Sequence, residues 1–177
     1  SVRLQKFENI PLMQDITNAV GLVGNTLVLQ GVEIPGSLSF NQVALMRSAG
    51  TDANSLTIRF GLYSLNGGTL SLANSASQSD TMQNGLSWIT LVTSATQDIT
   101  PGNWWFGYLQ SSSGVNYSII QAAIRTQGGG INGGIFVRGY NSNSTGALPA
   151  SMATSDLSKE GANANTRSRS PYILISA

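Results

Sequence analysis

The chain has 177 residues, of which 41% are hydrophobic and only 10% charged, and its formal net charge is +1. One domain is the expected count at this length, and so small a net charge excludes long-range attraction to nucleic acid or to an anionic membrane. Cysteine and histidine are absent, which removes disulfides and the commonest general base and metal ligand, so no cofactor or metal is expected. No apolar run approaches the roughly 20 residues of a membrane span.

Residues 1–26 are the least strand-like part of the sequence. Four apolar residues recur there at helical spacing: Leu12, Ile16, Val20 and Val23. This spacing predicts either one apolar stripe on a short helix or an extended arm whose apolar side chains contact the domain or a neighbour. Such a terminal arm commonly stays loose until something holds it. We therefore divide the chain into an arm, residues 1–26, and a domain, residues 27–177.

Clear strand signals begin at Thr26. One strand is predicted from Leu27 to Ile34, before Pro35-Gly36, and a second from Leu38 to Arg47. The cleanest alternation covers residues 56–63, where every second side chain is a large apolar one, as in one layer of a sandwich. Asn66-Gly67-Gly68 then predicts a hairpin into the following strand.

The middle of the chain is less regular. Residues 74–83 are polar and lack periodicity, which predicts a loop. A strand is expected from Leu86 to Val92, with Trp88 buried. The Thr100-Pro101-Gly102 turn follows, because proline presets its φ and glycine accepts the backbone conformations of tight turns.

The strand after this turn carries two of the three tryptophans. Aromatic residues favour a pleated, half-buried surface, so we predict that it is the central core strand. Alternation places Trp104, with Phe106 and Tyr108, on the core side. Trp105 then faces the other way and, with Tyr63, is the candidate for a subunit interface or a glycan-binding surface.

The last third of the chain has further strand candidates separated by glycine-rich and polar segments. Strands are predicted at residues 115–124, 135–140 and 172–175, and a long surface excursion at residues 141–170. The total of about eight to nine short strands with turns between them predicts an all-β, jelly-roll-like antiparallel β-sandwich.

No arrangement of residues indicates catalysis. The eight acidic residues are scattered, and no spacing pairs two of them as the acid and base of a glycosidase. The glycines between Gly128 and Gly134 lack the Lys-Ser/Thr that completes a phosphate-binding loop. Arg167 and Arg169 form the only basic cluster, which is either a solvated loop or a contact for an acidic partner.

Several short motifs resemble a recurring domain of tailed-bacteriophage virion proteins. They span most of residues 27–177 and are Val32-Glu33-Ile34-Pro35, Asn41-Gln42-Val43-Ala44-Leu45, Arg59-Phe60-Gly61-Leu62-Tyr63-Ser64, Pro101-Gly102-Asn103-Trp104-Trp105, Leu148-Pro149 and Pro171-Tyr172-Ile173-Leu174. The chain differs from fibre versions of this domain in lacking a long N-terminal shaft or coiled coil.

The resemblance implies a jelly-roll-like homotrimer on the outer surface of the phage particle. Its first expected function is capsid decoration: a non-enzymatic cement protein that binds the major capsid protein and stabilises the head. The alternative is a receptor-binding head-fibre or tail-fibre tip that recognises host surface glycan. For the cement function, we expect the apolar residues of the arm to contact a neighbouring subunit or the shell, and the domain to fold without residues 1–25.

Overall fold

A computed structural model describes most of the chain. The described residues are 3–8, 16–21, 25–47, 55–81, 87–111, 118–123, 135–141, 146–157, 169–171 and 173–177. They form strands almost throughout, with a single short 3-10 turn at Thr154–Asp156. The described part of the chain contains no α-helix.

Fourteen strands are numbered here in chain order. The first seven are β1 (Arg3–Leu4), β2 (Lys6–Glu8), β3 (Ile16–Gly21), β4 (Leu27–Ile34), β5 (Ser37–Arg47), β6 (Ser55–Asn66) and β7 (Thr69–Thr81). The others are β8 (Ser87–Ile99), β9 (Gly102–Ser111), β10 (Ser118–Ala123), β11 (Ile135–Asn141), β12 (Ser151–Ala153), β13 (Arg169–Pro171) and β14 (Ile173–Ser176).

The strands form two sheets that are joined at one edge. The first sheet has the order β11-β4-β9-β6-β7, and β12 pairs with the start of β7. In the second sheet β5 pairs with β8 on one side and with β14 on the other, and β14 pairs with β2. The pair Ala76–Thr93 links β7 to β8 and so connects the sheets. All described pairings are antiparallel except that of β1 with β5.

The main hydrophobic core lies between the two sheets. Both sheets contribute buried side chains to one cluster, including Phe60 and Phe106 from the first sheet and Phe40 from the second. The rings of Phe40 and Phe60 meet edge to face at 6.4 Å, and those of Phe60 and Phe106 at 5.5 Å. Such interdigitation of two inner faces is what a β-sandwich requires. The predicted jelly-roll-like antiparallel sandwich is therefore confirmed. Because the two sheets are joined through β7 and β8, together they nearly close into a barrel.

Two predicted features of the first sheet are confirmed. Strand β9 lies between β4 and β6, so the aromatic strand is central, with Phe106 and Tyr108 buried in the main core. Trp104 is half-buried and packs against the same core. The hairpin between β6 and β7 turns at Gly67 and Gly68, whose φ angles of 56° and 84° are readily adopted only without a β-carbon.

Two predictions for the middle of the chain are wrong. Residues 74–81 are not a loop, because β7 continues to Thr81 in register with β6. Their polar character reflects a face that contacts solvent. Trp88 is 49% exposed, since Ile89 and Leu91 take the inward positions of β8 and Trp88 alternates outward.

The described parts of the N-terminal segment, residues 3–8 and 16–21, are extended rather than helical. Ile16 and Val20 lie on β3, which pairs with β10 of the same chain, so the helical alternative is wrong for residues 16–21. Within the predicted arm, Phe7 of β2 packs edge to face on Phe106 at 5.9 Å between ring centroids, so this part of residues 1–26 contacts the main core. Leu12 and Val23 lie outside the described residues. A contact of these four residues with another subunit stays a prediction.

Candidate functional site

The outer face of the first sheet carries a second hydrophobic cluster. Its buried members are Leu27, Leu29, Tyr63, Leu70, Trp105, Leu109 and Met152. Tyr63 and Trp105 are opposite each other in the register of β6 and β9, so their side chains lie on the same face. The structure thus brings the two predicted aromatic site residues together.

A segment from the predicted surface excursion covers these aromatic residues. We call residues 146–157 the strap. Leu148, Met152 and Leu157 of the strap pack into the cluster, and β12 adds to the edge of β7. The backbone N–H of Leu72 donates to the Ala150 carbonyl at 2.9 Å. Residues 146–157 are therefore part of the packed structure rather than a free excursion.

The strap closes the face that the sequence suggested for a ligand. Tyr63 has 0% exposure and Trp105 7%, and the Tyr63 hydroxyl donates a hydrogen bond to the Pro149 carbonyl at 3.2 Å. Burial raises the pKa of Tyr63 well above its ordinary value. Trp105, predicted to face a subunit interface or a ligand, is therefore covered by a segment of its own chain.

A glycine pair explains how the Tyr63 ring lies against the sheet. Gly61 and Gly107 are register partners on β6 and β9. A β-carbon at Gly61 would lie 2.7 Å from Tyr63 Cε2, and one at Gly107 would lie 3.0 Å from the same atom. The missing side chains therefore make room for the ring, and Leu148 of the strap approaches the same place.

The second sheet has an outward surface of a different kind. Trp88 is 49% exposed and Val92 63% exposed on β8. In the register of the sheet Trp88 lies opposite Met46, and Ala44 lies between Thr90 and Leu174. We call Trp88, Val92, Met46, Ala44 and Leu174 the apolar face. The sequence contained the information needed to predict this exposure. The alternation that places Ile89 and Leu91 on the inner side of β8 also places Trp88 and Val92 on its outer side.

The edge of the apolar face carries the one ion pair found among the described residues. On β2, Lys6 Nζ lies 3.4 Å from Glu8 Oε1, and Glu8 is the register partner of Leu174. The positive charge of Lys6 and the negative charge of Glu8 are therefore paired with each other. These two charges lie at the border of the face, and on β8 the exposed Thr90 lies between Trp88 and Val92.

The remaining predicted site residues are not brought into one place by the structure. The backbone of Arg169 lies in β13, which pairs with β10, and Arg167 lies outside the described residues. The described residues contain no group of three or more metal-ligating side chains. The described residues contain no helix that is long and apolar enough to cross a membrane.

Comparison with known proteins identifies no family for this chain. No protein-family model matches it. A search of curated proteins also finds no significant match. The conclusions about function therefore depend on the residues and their arrangement.

Proposed function

We propose that this protein is a non-enzymatic surface protein of a tailed-bacteriophage particle. In this proposal it forms a homotrimer that binds the major capsid protein and stabilises the head. The sequence motifs support the phage assignment by resemblance, and the confirmed sandwich is compatible with it. The observation that carries the proposal is the apolar face, which we assign to the contact between copies of the chain.

The apolar face has the composition of a protein interface. Exposed apolar side chains that include a tryptophan are typical of a protein-binding surface, and tryptophan contributes disproportionately to binding energy. Leu174, Ala44 and Met46 are half-buried by their own sheet and form a floor beside Trp88. Burying Trp88 and Val92 against a second subunit removes two exposed large apolar side chains of this sheet from water.

The low charge of the whole chain supports assembly through this face. Only 10% of the residues are charged and the net charge is +1, so charge repulsion between copies is weak. Subunits can then approach without a large electrostatic cost. In this proposal copies of the chain and the shell cover much of the surface, and a weakly charged composition tolerates such coverage.

The oligomeric state tests the assignment of the apolar face. Light scattering after size exclusion is expected to give about three times the 18.6 kDa chain mass for the native protein. Trp88→Ser is expected to shift the protein to a monomer. Leu65→Ser is the matched control, because Leu65 is 44% exposed at the hairpin end of the other sheet, and it should leave the trimer intact. A native monomer, or a trimer unaffected by Trp88→Ser, contradicts the assignment.

Location on the particle tests the cement function separately. Antibody labelling of intact phage particles is expected to mark the head surface. Purified trimer added to heads that lack it should raise their resistance to heat. Labelling confined to the tail or to fibres would instead favour the receptor-binding alternative.

A further inference from the structure

The strap packs on a hydrophobic cluster that is separate from the main core. Leu148, Met152 and Leu157 of the strap share this outer cluster with Tyr63 and Trp105. None of these five residues belongs to the cluster between the two sheets. Lifting the strap off the first sheet would therefore uncover the outer cluster and leave the packing between the sheets unchanged.

The strands under the strap are paired with one another without its help. Strand β6 pairs with β7 along its whole length on one side and with β9 on the other, and β9 pairs with β4. The strap adds only β12, which pairs with Thr69, Leu70 and Ser71 at the edge of β7. Opening of the strap therefore breaks the pairing of β12 and no pairing between the strands beneath it.

Most of the strap stays in contact with solvent. Met152, at 7% exposure, is the one buried residue among residues 146–157, and Leu148 and Leu157 are half-buried. The hydrogen bonds that Pro149 and Thr154 make with the sheet join uncharged groups, and such bonds add little net stability in water. A segment with few buried apolar side chains opens at a lower free energy than the strands of a core.

We infer that the strap opens as one unit while the sandwich stays folded, and that this opening controls access to the surface formed by Tyr63 and Trp105. In the closed state both side chains are buried, and the Tyr63 hydroxyl donates to Pro149. In the open state this hydroxyl, the indole of Trp105 and the backbone N–H of Leu72 contact water. The inference concerns the first sheet and does not depend on the proposed decoration function.

Hydrogen exchange of the native protein tests the separate opening of the strap. The amides of Leu72 and Thr154 donate across the contact between strap and sheet, so both lose their acceptors when the strap opens. They should exchange at least about tenfold faster than the slowest amides of β9. Their exchange should also depend less on urea, because opening the strap exposes less surface than unfolding the sandwich. Rates and urea dependence equal to those of β9 would overturn the inference, as would different urea dependences for Leu72 and Thr154.

A disulfide between the strap and β7 should hold the strap closed. Ser71 and Ser151 are exposed register partners, and opposite residues of antiparallel strands lie about 4.5–5.5 Å apart at Cα, within the range of a disulfide. The chain has no cysteine, so Ser71→Cys/Ser151→Cys supplies the only two thiols. The oxidised form should slow exchange of the Leu72 amide at least about tenfold relative to its reduced form, which is the matched control. Unchanged exchange on oxidation would contradict the inference.

Oxidation of tryptophan by N-bromosuccinimide, located by peptide mapping, tests access to the covered surface. Trp105 should be oxidised at least about tenfold more slowly in the disulfide-locked form than in the native protein. Trp88, which is 49% exposed on the other sheet, is the internal control and should react equally in both. Thr69→Cys/Ala153→Cys joins a second register pair and replaces the first lock if that disulfide does not form. Equal oxidation of Trp105 in the locked and native forms, or none in the native protein, would overturn the control of access.

Discussion

The hydroxyl of Tyr63 donates a hydrogen bond to the carbonyl oxygen of Pro149, which is 86 residues further along the chain. This contact joins the center of β6 to the strap. The carbonyl of Gly68 accepts from the backbone N–H of Thr154 at 2.8 Å and from its hydroxyl at 3.0 Å. Together these bonds and the leucine and methionine contacts hold the strap on the first sheet.

Replacing Tyr63 with phenylalanine tests the contribution of this hydrogen bond. The ring and its packing remain, but the Pro149 carbonyl loses its donor. We expect the free energy of unfolding at pH 7 to fall by about 1 kcal/mol, the usual net value of one such bond. Urea denaturation measures the change. Ser77→Ala, an exposed change on the neighbouring strand, should leave the stability within about 0.5 kcal/mol of the native value.

The native protein and the Tyr63→Phe variant should also respond differently to alkaline pH. In the unfolded chain Tyr63 ionises near pH 10, whereas burial raises its pKa in the folded protein. Above pH 10 the folded state therefore holds a proton that the unfolded state has lost, and stability falls as the pH rises. The stability advantage of the native protein over Tyr63→Phe should shrink from pH 9 to pH 11.5, by up to about 1.4 kcal/mol per pH unit above 10.

Urea denaturation of both proteins across this pH range is the measurement. Lysines and the other tyrosines titrate in both proteins, so their effects cancel in the difference. A difference that stays constant up to pH 11.5 would show that Tyr63 ionises as readily when folded as when unfolded.

Gly61→Ala tests the close approach of the Tyr63 ring to the sheet. The new β-carbon would lie 2.7 Å from Tyr63 Cε2 and 3.1 Å from Leu72 Cδ1, so the ring has to move. We expect a loss of about 1–3 kcal/mol in unfolding free energy, typical of overpacking. In the double variant Gly61→Ala/Tyr63→Ala the ring is absent. The two losses should then combine to less than their sum. Strict additivity would contradict the contact.

Phe7→Ala tests whether the N-terminus belongs to the sandwich. Phe7 packs on the buried ring of Phe106 and lies on β2, opposite Ile175. We expect a loss of about 2 kcal/mol, less than for a fully buried phenylalanine because Phe7 is half-buried. Lys6→Ala is the control on the same strand and should change the stability little.

Deletion of residues 1–25 should destabilise the protein further, since it also leaves the edge of β14 unpaired. This expectation replaces that of an arm whose removal leaves the domain intact. If thermal unfolding of the truncated protein matched that of the full chain, the pairing of β2 with β14 would contribute nothing to stability.

Several features of the fold follow from local sequence rules. The alternation in residues 56–63, the two glycines after Asn66 and the aromatic strand after Pro101 each correspond to an observed element. These predictions succeed because a period of two and a tight turn are properties of neighbouring residues. The loop predicted at residues 74–83 is wrong for residues 74–81, because local polarity does not exclude a strand. A strand with one solvent-facing side needs few apolar residues, and its pairing with β6 holds it in place.

For the strands that it predicted, the sequence by itself determined which residues share a face. It therefore indicated the sandwich, the central position of β9 and the separation of Trp104 from Trp105. Only the tertiary structure decided which faces are covered. Trp105 and Tyr63 are buried by a strap distant in sequence, whereas Trp88 faces outward. The physical reason is that alternation records the two sides of a strand, while burial depends on what packs against each side, and here that is set by contacts between segments far apart in the chain.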